Sequence, residues 1–162
     1  FQPDKAYTAK ITYHGSASEF NYHLGVSGYG FRSYKMGGVH LGFGIYDLVV
    51  LGEIDWTHEN LNVNVSPLPN INVGFNSMAL LAEANYRAIQ GVWFIGRYEM
   101  FDPQQGRSDD PNGDPLNSIK RVTMGLEFFP YSFVEVRPQY RFVIETPSIN
   151  NDVALVQMHL WF

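Results

Sequence analysis

The chain has 162 residues, which suits a single domain, and its formal net charge of −5 argues against a nucleic-acid-binding protein. It has no cysteine, so disulfides, cysteine-ligated metals and covalently attached haem are excluded. Hydrophobic residues make up 45% of the chain, yet no run of about 18 apolar residues occurs, which excludes an ordinary transmembrane helix.

The first half of the chain alternates apolar and polar side chains with period two, which is the pattern of a β-strand with two unlike faces. Four segments show it, in the order AYTAKITYH, EFNYHLGVS, VHLGFGIY and LVVLGEIDWT. In the fourth segment Ile54 and Trp56 are predicted to lie on the apolar face, and Glu53 and Asp55 on the polar face. An Asn- and Pro-rich stretch, residues 57–76, is predicted as a loop with room for a small hairpin.

The second half continues the alternation in five further segments: SMALLAEANYRA, VWFIGRYEMF, KRVTMGLEF, FVEVRPQYRF and VALVQMHLWF. A long polar stretch, residues 102–118, separates the second and third of these. Short turns are predicted at IYD, AIQG and FPYS. About nine strands therefore alternate between short and long connections, a layout typical of transmembrane β-barrels, and their lengths fit the roughly 9–11 residues needed to cross a bilayer at a tilt.

Alternation alone does not distinguish a lipid-facing barrel from a soluble β-barrel or sandwich, but three features favour lipid. Only 17% of residues are charged, the polar faces carry both signs on adjacent strands, and aromatic residues are predicted at strand ends, where interfacial girdles lie. The predicted fold is an all-β, antiparallel transmembrane β-barrel, with residues 1–162 forming one domain or the C-terminal part of one. The predicted membrane-interface aromatics are Tyr13, Trp56, Tyr86, Phe128, Phe142 and Phe162.

The terminal segment VALVQMHLWF resembles the last strand of Gram-negative outer-membrane barrels, which alternates apolar residues and finishes on Phe. The runs AEANYRAIQGVWFIGRYEMFDP and RVTMGLEFFPYSFVEVRPQYRF are similar to the C-terminal strands of porins, including the phosphate-selective group. This resemblance implies a bacterial outer-membrane location and contact with the lipid bilayer. It also implies recognition of the strand ending at Phe162 by the barrel-assembly machinery.

An odd number of strands does not suit a complete bacterial single-chain barrel, which has an even number. The count therefore favours the C-terminal portion of a larger barrel over a complete small barrel of eight to ten strands.

Charged residues predicted to point away from lipid are the candidate functional residues. In a wide barrel such residues line the pore and set its ion preference, whereas in a small barrel the same ion pairs plug the interior. Because the two signs balance, no strong charge selectivity is expected, and phosphate specificity is disfavoured. The candidates are Glu83, Arg87, Arg97, Glu99, Glu127, Glu135, Arg137 and Arg141.

The predicted function is a porin-like channel for passive diffusion of small hydrophilic solutes or ions, and no enzymatic activity is expected. The first alternative is a structural or plugged barrel, for instance a sheath for a partner such as a cytochrome. The second is a lipid-active enzyme, for which His23 and Ser27 are too far apart on one strand. Homo-oligomers or complexes with other proteins fit all three readings.

No cofactor and no metal site are expected. His23 and His40, on neighbouring strands, are weighed as metal ligands, but a polar role without metal is favoured. The loop GRSDDPNGD, with Asp109, Asp110, Asn112 and Asp114, lacks the spacing of a calcium loop and is predicted to be solvated.

Overall fold

The computed structural model describes residues 5–63, 71–103, 118–145 and 148–162, and these residues form nine strands. The strands are β1 (Ala6–Ala17), β2 (Phe20–Phe31), β3 (Tyr34–Ile45), β4 (Leu48–Val63), β5 (Ile71–Ile89), β6 (Val92–Asp102), β7 (Ile119–Tyr131), β8 (Val134–Glu145) and β9 (Val153–Leu160).

All nine strands belong to one antiparallel sheet whose spatial order is the chain order, from β1 to β9. Each strand therefore pairs only with its neighbours in sequence, and β1 and β9 are the two outer strands. The all-β, antiparallel prediction is confirmed. Among the described residues, no helix is long and apolar enough to cross a membrane.

The strand register places the apolar residues of different strands on one common face. One row across the sheet pairs Ile11 with Val26, Val26 with Val39, Val39 with Ile54, and Ile54 with Leu80. This surface is called the apolar face, and the opposite surface the polar face. The parity predicted for β4 is confirmed, because Ile54 lies in this row and Glu53 on the opposite side.

The apolar face has no packing partner within the described part of the chain. No hydrophobic side chain there is buried, and side chains on inner strands stay exposed, such as Leu24 at 53% and Met124 at 60%. Strands contact only their sequence neighbours, so no second layer lies against the sheet. A β-sandwich needs such a layer, about 10 Å away, to form its core.

The loop predicted for residues 57–76 is wrong over most of its length, whereas the hairpin that the prediction allowed there is present as an extension of β4 and β5. Strand β4 continues to Val63 and β5 begins at Ile71, and their register pairs Asn60 with Gly74 and Val63 with Ile71. The physical reason lies in LNVNV and NINV, where Asn alternates with apolar residues and the period of a strand continues. The connection itself, residues 64–70, lies outside the described residues.

The two ends of the sheet have different connections. At one end, called the short-turn end, two residues join each hairpin, at 18–19, 46–47, 90–91 and 132–133. Three of these turns contain a residue with positive φ, namely Ser18, Tyr46 and Gly91. The predicted FPYS turn lies later than expected, at 132–133, because β7 continues through an irregularity around Pro130 that restores pairing at Tyr131.

At the opposite end, called the long-connection end, the links span residues 64–70, 103–118 and 146–152. One tight hairpin also lies at this end, where Arg32 and Ser33 join β2 to β3 and Arg32 has a φ of 53°. The predicted alternation of short and long connections is therefore confirmed from β3 onward, and the Arg32–Ser33 turn is the exception.

Candidate functional site: the polar face of the sheet

The register brings the eight predicted charged residues onto the polar face. Glu83 lies directly opposite Arg97, Leu81 opposite Glu99, and Trp93 opposite Glu127. On the last strands Glu135 faces His159, and Arg141 faces Thr123. The alternation in sequence therefore predicts which face each candidate occupies, and the contacts between them come from the register.

The first cluster joins β5 and β6 through Glu83 and Arg97. Arg97 donates from both Nη2 and Nε to Glu83 Oε2, at 2.5 and 2.6 Å, and Asn85 Nδ2 donates to Glu83 Oε1 at 2.7 Å. The Glu83 side chain is 14% exposed, so its charge requires these donors. A charge-assisted pair of this kind holds the two strands in register.

The second cluster joins β7, β8 and β9 through two glutamates, an arginine and a histidine. Arg137 Nη2 lies 2.6 Å from Glu127 Oε2, and Arg137 Nε forms a second ion pair with Glu135. His159 Nδ1 donates to Glu135 Oε2 at 3.2 Å. Glu135 is 4% exposed, and its two cationic or donating neighbours offset the cost of removing its charge from water.

The two clusters lie along one groove of about 260 Å³ that runs from β4 to β8 on the polar face. Glu83, Arg97, Glu127 and Arg137 all line it, together with Gln139. Four of the predicted residues are thus assembled into one polar groove, called the ion-pair groove below.

The other four predicted residues do not line the ion-pair groove: Glu135, Arg87, Arg141 and Glu99. Arg87 lies at the short-turn end, where its Nε donates to Asp47 Oδ1 at 2.7 Å and its guanidinium lies 5.8 Å from the Trp93 ring centre. It therefore ties β5 to the turn between β3 and β4. Arg141 donates from Nε to Thr123 Oγ1 at 3.4 Å, on the neighbouring strand β7.

Glu99 belongs to a second groove of about 360 Å³, whose other charged residues were not among the predicted candidates. Glu53 and Asp55 from β4 and Arg121 from β7 line it with Glu99. Glu53 and Asp55 had been assigned to the polar face, and the alternation of β4 was the signal that could have added them to the site. This groove is called the acidic groove, since three of these four side chains are carboxylates.

Three histidines, His14, His23 and His40, also lie on the polar face, on β1, β2 and β3. His14 is directly opposite His23, with ring centres 5.8 Å apart, and the rings of His23 and His40 are 6.0 Å apart. His40 Nε2 lies 3.1 Å from Thr12 Oγ1, so its ring crosses β2 above Gly25. Ser27 lies four residues from His23 on β2, and the two side chains form no hydrogen bond.

Five of the six predicted interface aromatics lie on the apolar face, and the sixth, Phe162, lies beyond the end of β9. Tyr13, Tyr86 and Phe128 lie within four residues of the ends of their strands at the short-turn end, as predicted for strand ends. Trp56 is the exception: β4 continues seven residues past it to Val63, so it lies in the middle of its strand. The predicted solvated loop with Asp109, Asp110, Asn112 and Asp114 lies outside the described residues.

Comparison with protein-family models, with curated proteins and with solved structures finds no match to this chain.

Proposed function

We propose that the nine strands form part of a transmembrane β-barrel of a bacterial outer membrane, whose polar face lines a channel for passive diffusion of small hydrophilic solutes or ions. The observation that carries the proposal is the contrast between the two faces. The apolar face is exposed along its whole width, while the opposite face holds ion pairs and partly buried carboxylates.

Lipid is the environment that fits an exposed apolar face of this extent. Its area exceeds the few hundred Å² of contiguous apolar surface usual on a soluble monomer, since it extends across all nine strands. In a bilayer every backbone polar group needs a partner within the protein, and a sheet closed into a barrel supplies them.

The connections at the two ends of the sheet also fit a transmembrane barrel and indicate its orientation. Transmembrane barrels have short turns at the periplasmic end and longer loops outside, which matches the short-turn and long-connection ends. The proposal therefore places Phe162 and the turn at residues 46–47 on the periplasmic side.

The directions of the two outer strands, β1 and β9, decide whether the sheet can close into an antiparallel barrel by itself. In an antiparallel sheet of nine strands, β1 and β9 run in the same direction, so pairing them directly would make a parallel seam. An odd number of further antiparallel strands between them restores the pattern of bacterial barrels. The proposal therefore treats the sheet as the C-terminal portion of a larger barrel.

The acidic groove supports the proposal that the polar face is in contact with water. Asp55 Oδ1 and Glu99 Oε2 are inaccessible to solvent in the isolated sheet and have no hydrogen-bond partner among the described residues. Buried carboxylate oxygens need a donor, so these side chains are expected to reorient in a filled lumen until water reaches them. With Glu53 and Asp55 added to the candidates, the face carries slightly more acids than bases, so a weak cation preference is expected.

Conductance of the purified protein in planar bilayers tests the proposal. A channel gives discrete current steps whose reversal potential in a KCl gradient lies near zero or slightly on the cation side. Silence, in a preparation whose folding is shown by a heat-dependent shift on a gel, would favour the plugged barrel. That alternative is supported by the Glu127, Arg137, Glu135 and His159 cluster, because paired charges also fill small lumens.

A further inference from the structure

We propose that His14 and His23 form a binding site for a divalent transition-metal ion such as Cu²⁺, Ni²⁺ or Zn²⁺, a function that channel formation does not require. The sequence predicts no metal site, and the pair of possible ligands considered there is His23 with His40. The strand register instead places His14 directly opposite His23 on neighbouring strands.

The separation of the two rings fits chelation. Their centres are 5.8 Å apart and their planes are inclined by 41°. With metal–nitrogen bonds of about 2.0–2.1 Å, two imidazoles on one ion have ring centres roughly 5–6 Å apart. The distance between the ring centres is therefore compatible with one nitrogen of each ring binding a shared ion.

The surroundings of the pair leave room for an ion and its other ligands. Both rings line a groove of about 530 Å³, together with Ser16 and Asn21. No group of three or more His, Asp or Glu side chains in the described ranges is placed to hold a metal. The ion would thus keep open positions for water or for an exogenous ligand.

Gly42 positions the His23 ring. It is the residue opposite His23 on β3, and a Cβ at this position would overlap the imidazole. The ring therefore lies flat over the backbone of β3, where a larger residue would displace it. His40 plays a different part, since its Nε2 is engaged near Thr12 and it does not line this groove.

The choice of ion follows from the ligands. Neutral imidazole favours Cu²⁺, Ni²⁺ and Zn²⁺ over Mg²⁺ and Ca²⁺, which prefer oxygen. No carboxylate lines the groove among the described residues, so hard cations lack their preferred ligand.

Titration of the folded full-length protein in detergent with Cu²⁺, followed by electron paramagnetic resonance and calorimetry, tests the site. The electron paramagnetic resonance spectrum of Cu²⁺ bound to wild type should show splitting from two coordinating nitrogens. His14→Asn and His23→Asn should each lose one nitrogen and at least tenfold in affinity. Gly42→Ala should weaken binding several-fold while keeping both ligands.

The matched control is His58→Asn, because His58 lies on the apolar face and donates to Asn76 Oδ1 at 2.6 Å. The affinity of the His58→Asn variant for Cu²⁺ should equal that of wild type. Equal affinities for wild type, His14→Asn and His23→Asn would overturn the proposal, as would a loss in His58→Asn as large as in the other two. His14 is exposed on an outer strand, so His14→Asn should fold even if His23→Asn does not. None of these outcomes depends on conductance.

Discussion

Glu135 is the most deeply buried charged side chain of the described residues, at 4% exposure. Its neighbours Arg137 and His159 are one third to one half exposed, so the cluster lies between a buried and a surface ion pair. Exposed pairs contribute little because water screens them, whereas removing one partner of a buried pair leaves an uncompensated charge. The effect of each candidate residue on the free energy of unfolding is therefore expected to follow its burial more than its charge.

Replacing Glu135 with Gln should lower the free energy of unfolding by about 1–3 kcal/mol, because Arg137 loses the negative charge of its ion pair and only one of the two side-chain oxygens remains as an acceptor. Urea titration of protein folded in lipid vesicles measures this. Glu53→Gln is the matched control, because Glu53 is an exposed carboxylate of the same face, and it should change stability by less than about 0.5 kcal/mol. Equal losses in the two variants would contradict the ranking by burial.

Charge on the polar face should also set ion preference. Neutralising Arg97 and Arg137 together removes the cationic partners of Glu83 and Glu127 in the ion-pair groove and leaves Glu135 with His159 alone. The reversal potential in a KCl gradient should shift toward that of potassium. Lys35→Gln removes a positive charge from the apolar face, where Lys35 pairs with Gly30, and should leave the potential unchanged. A shift of the same size in this control would mean that the polar face does not line the conducting path.

At the scale of the element, each strand is defined by its alternation and by the neighbour it pairs with. The extension of β4 to Val63 and β5 to Ile71 shows that Asn alternating with apolar residues maintains a strand when a paired partner is present. Propensity alone disfavours Asn in strands, but cross-strand pairing outweighs it. The same extension moves Trp56 from the predicted strand end to the middle of β4.

Adjacent residues of β5 provide a direct test of which face meets lipid. Leu80 lies on the apolar face opposite Ile54, and Leu81 on the polar face opposite Glu53 and Glu99. Leu80→Arg should destabilise the membrane-folded protein by about 2–4 kcal/mol, whereas Leu81→Arg, beside carboxylates, should be nearly neutral. Urea titration of both variants in vesicles measures the difference, and a larger loss for Leu81→Arg would reverse the assignment of the faces.

At the scale of the whole molecule, a single layer of nine strands has no core of its own among the described residues. Its stability depends on what covers the apolar face and on what pairs with β1 and β9. Open strand edges also favour aggregation, so β1 and β9 each need a partner or a cover. Phe162, which follows β9, is fully exposed.

Replacing Phe162 with Ala should leave the free energy of unfolding almost unchanged but lower the fraction assembled in the outer membrane several-fold. The reason is that an exposed aromatic contributes little to packing, whereas the proposed barrel function would give Phe162 a part in recognition during assembly. The heat-shifted fraction on a gel of membrane extracts measures assembly. Trp161→Ala, on the other face and stacked on Phe129, serves as the control. Normal assembly of the Phe162 variant would remove this role.

Period-two alternation in the sequence determined the fold class, the strand number and the face of every predicted charge, since side chains on a strand must point to opposite sides in turn. It did not determine which strands extend or which charges meet. Glu83 and Arg97 are 14 residues apart, and Glu135 and His159 are 24 residues apart, so their contacts depend on register between strands. The tertiary structure decided these pairs, the acidic groove and the position of His14 opposite His23, because lateral pairing of backbones sets which side chains become neighbours.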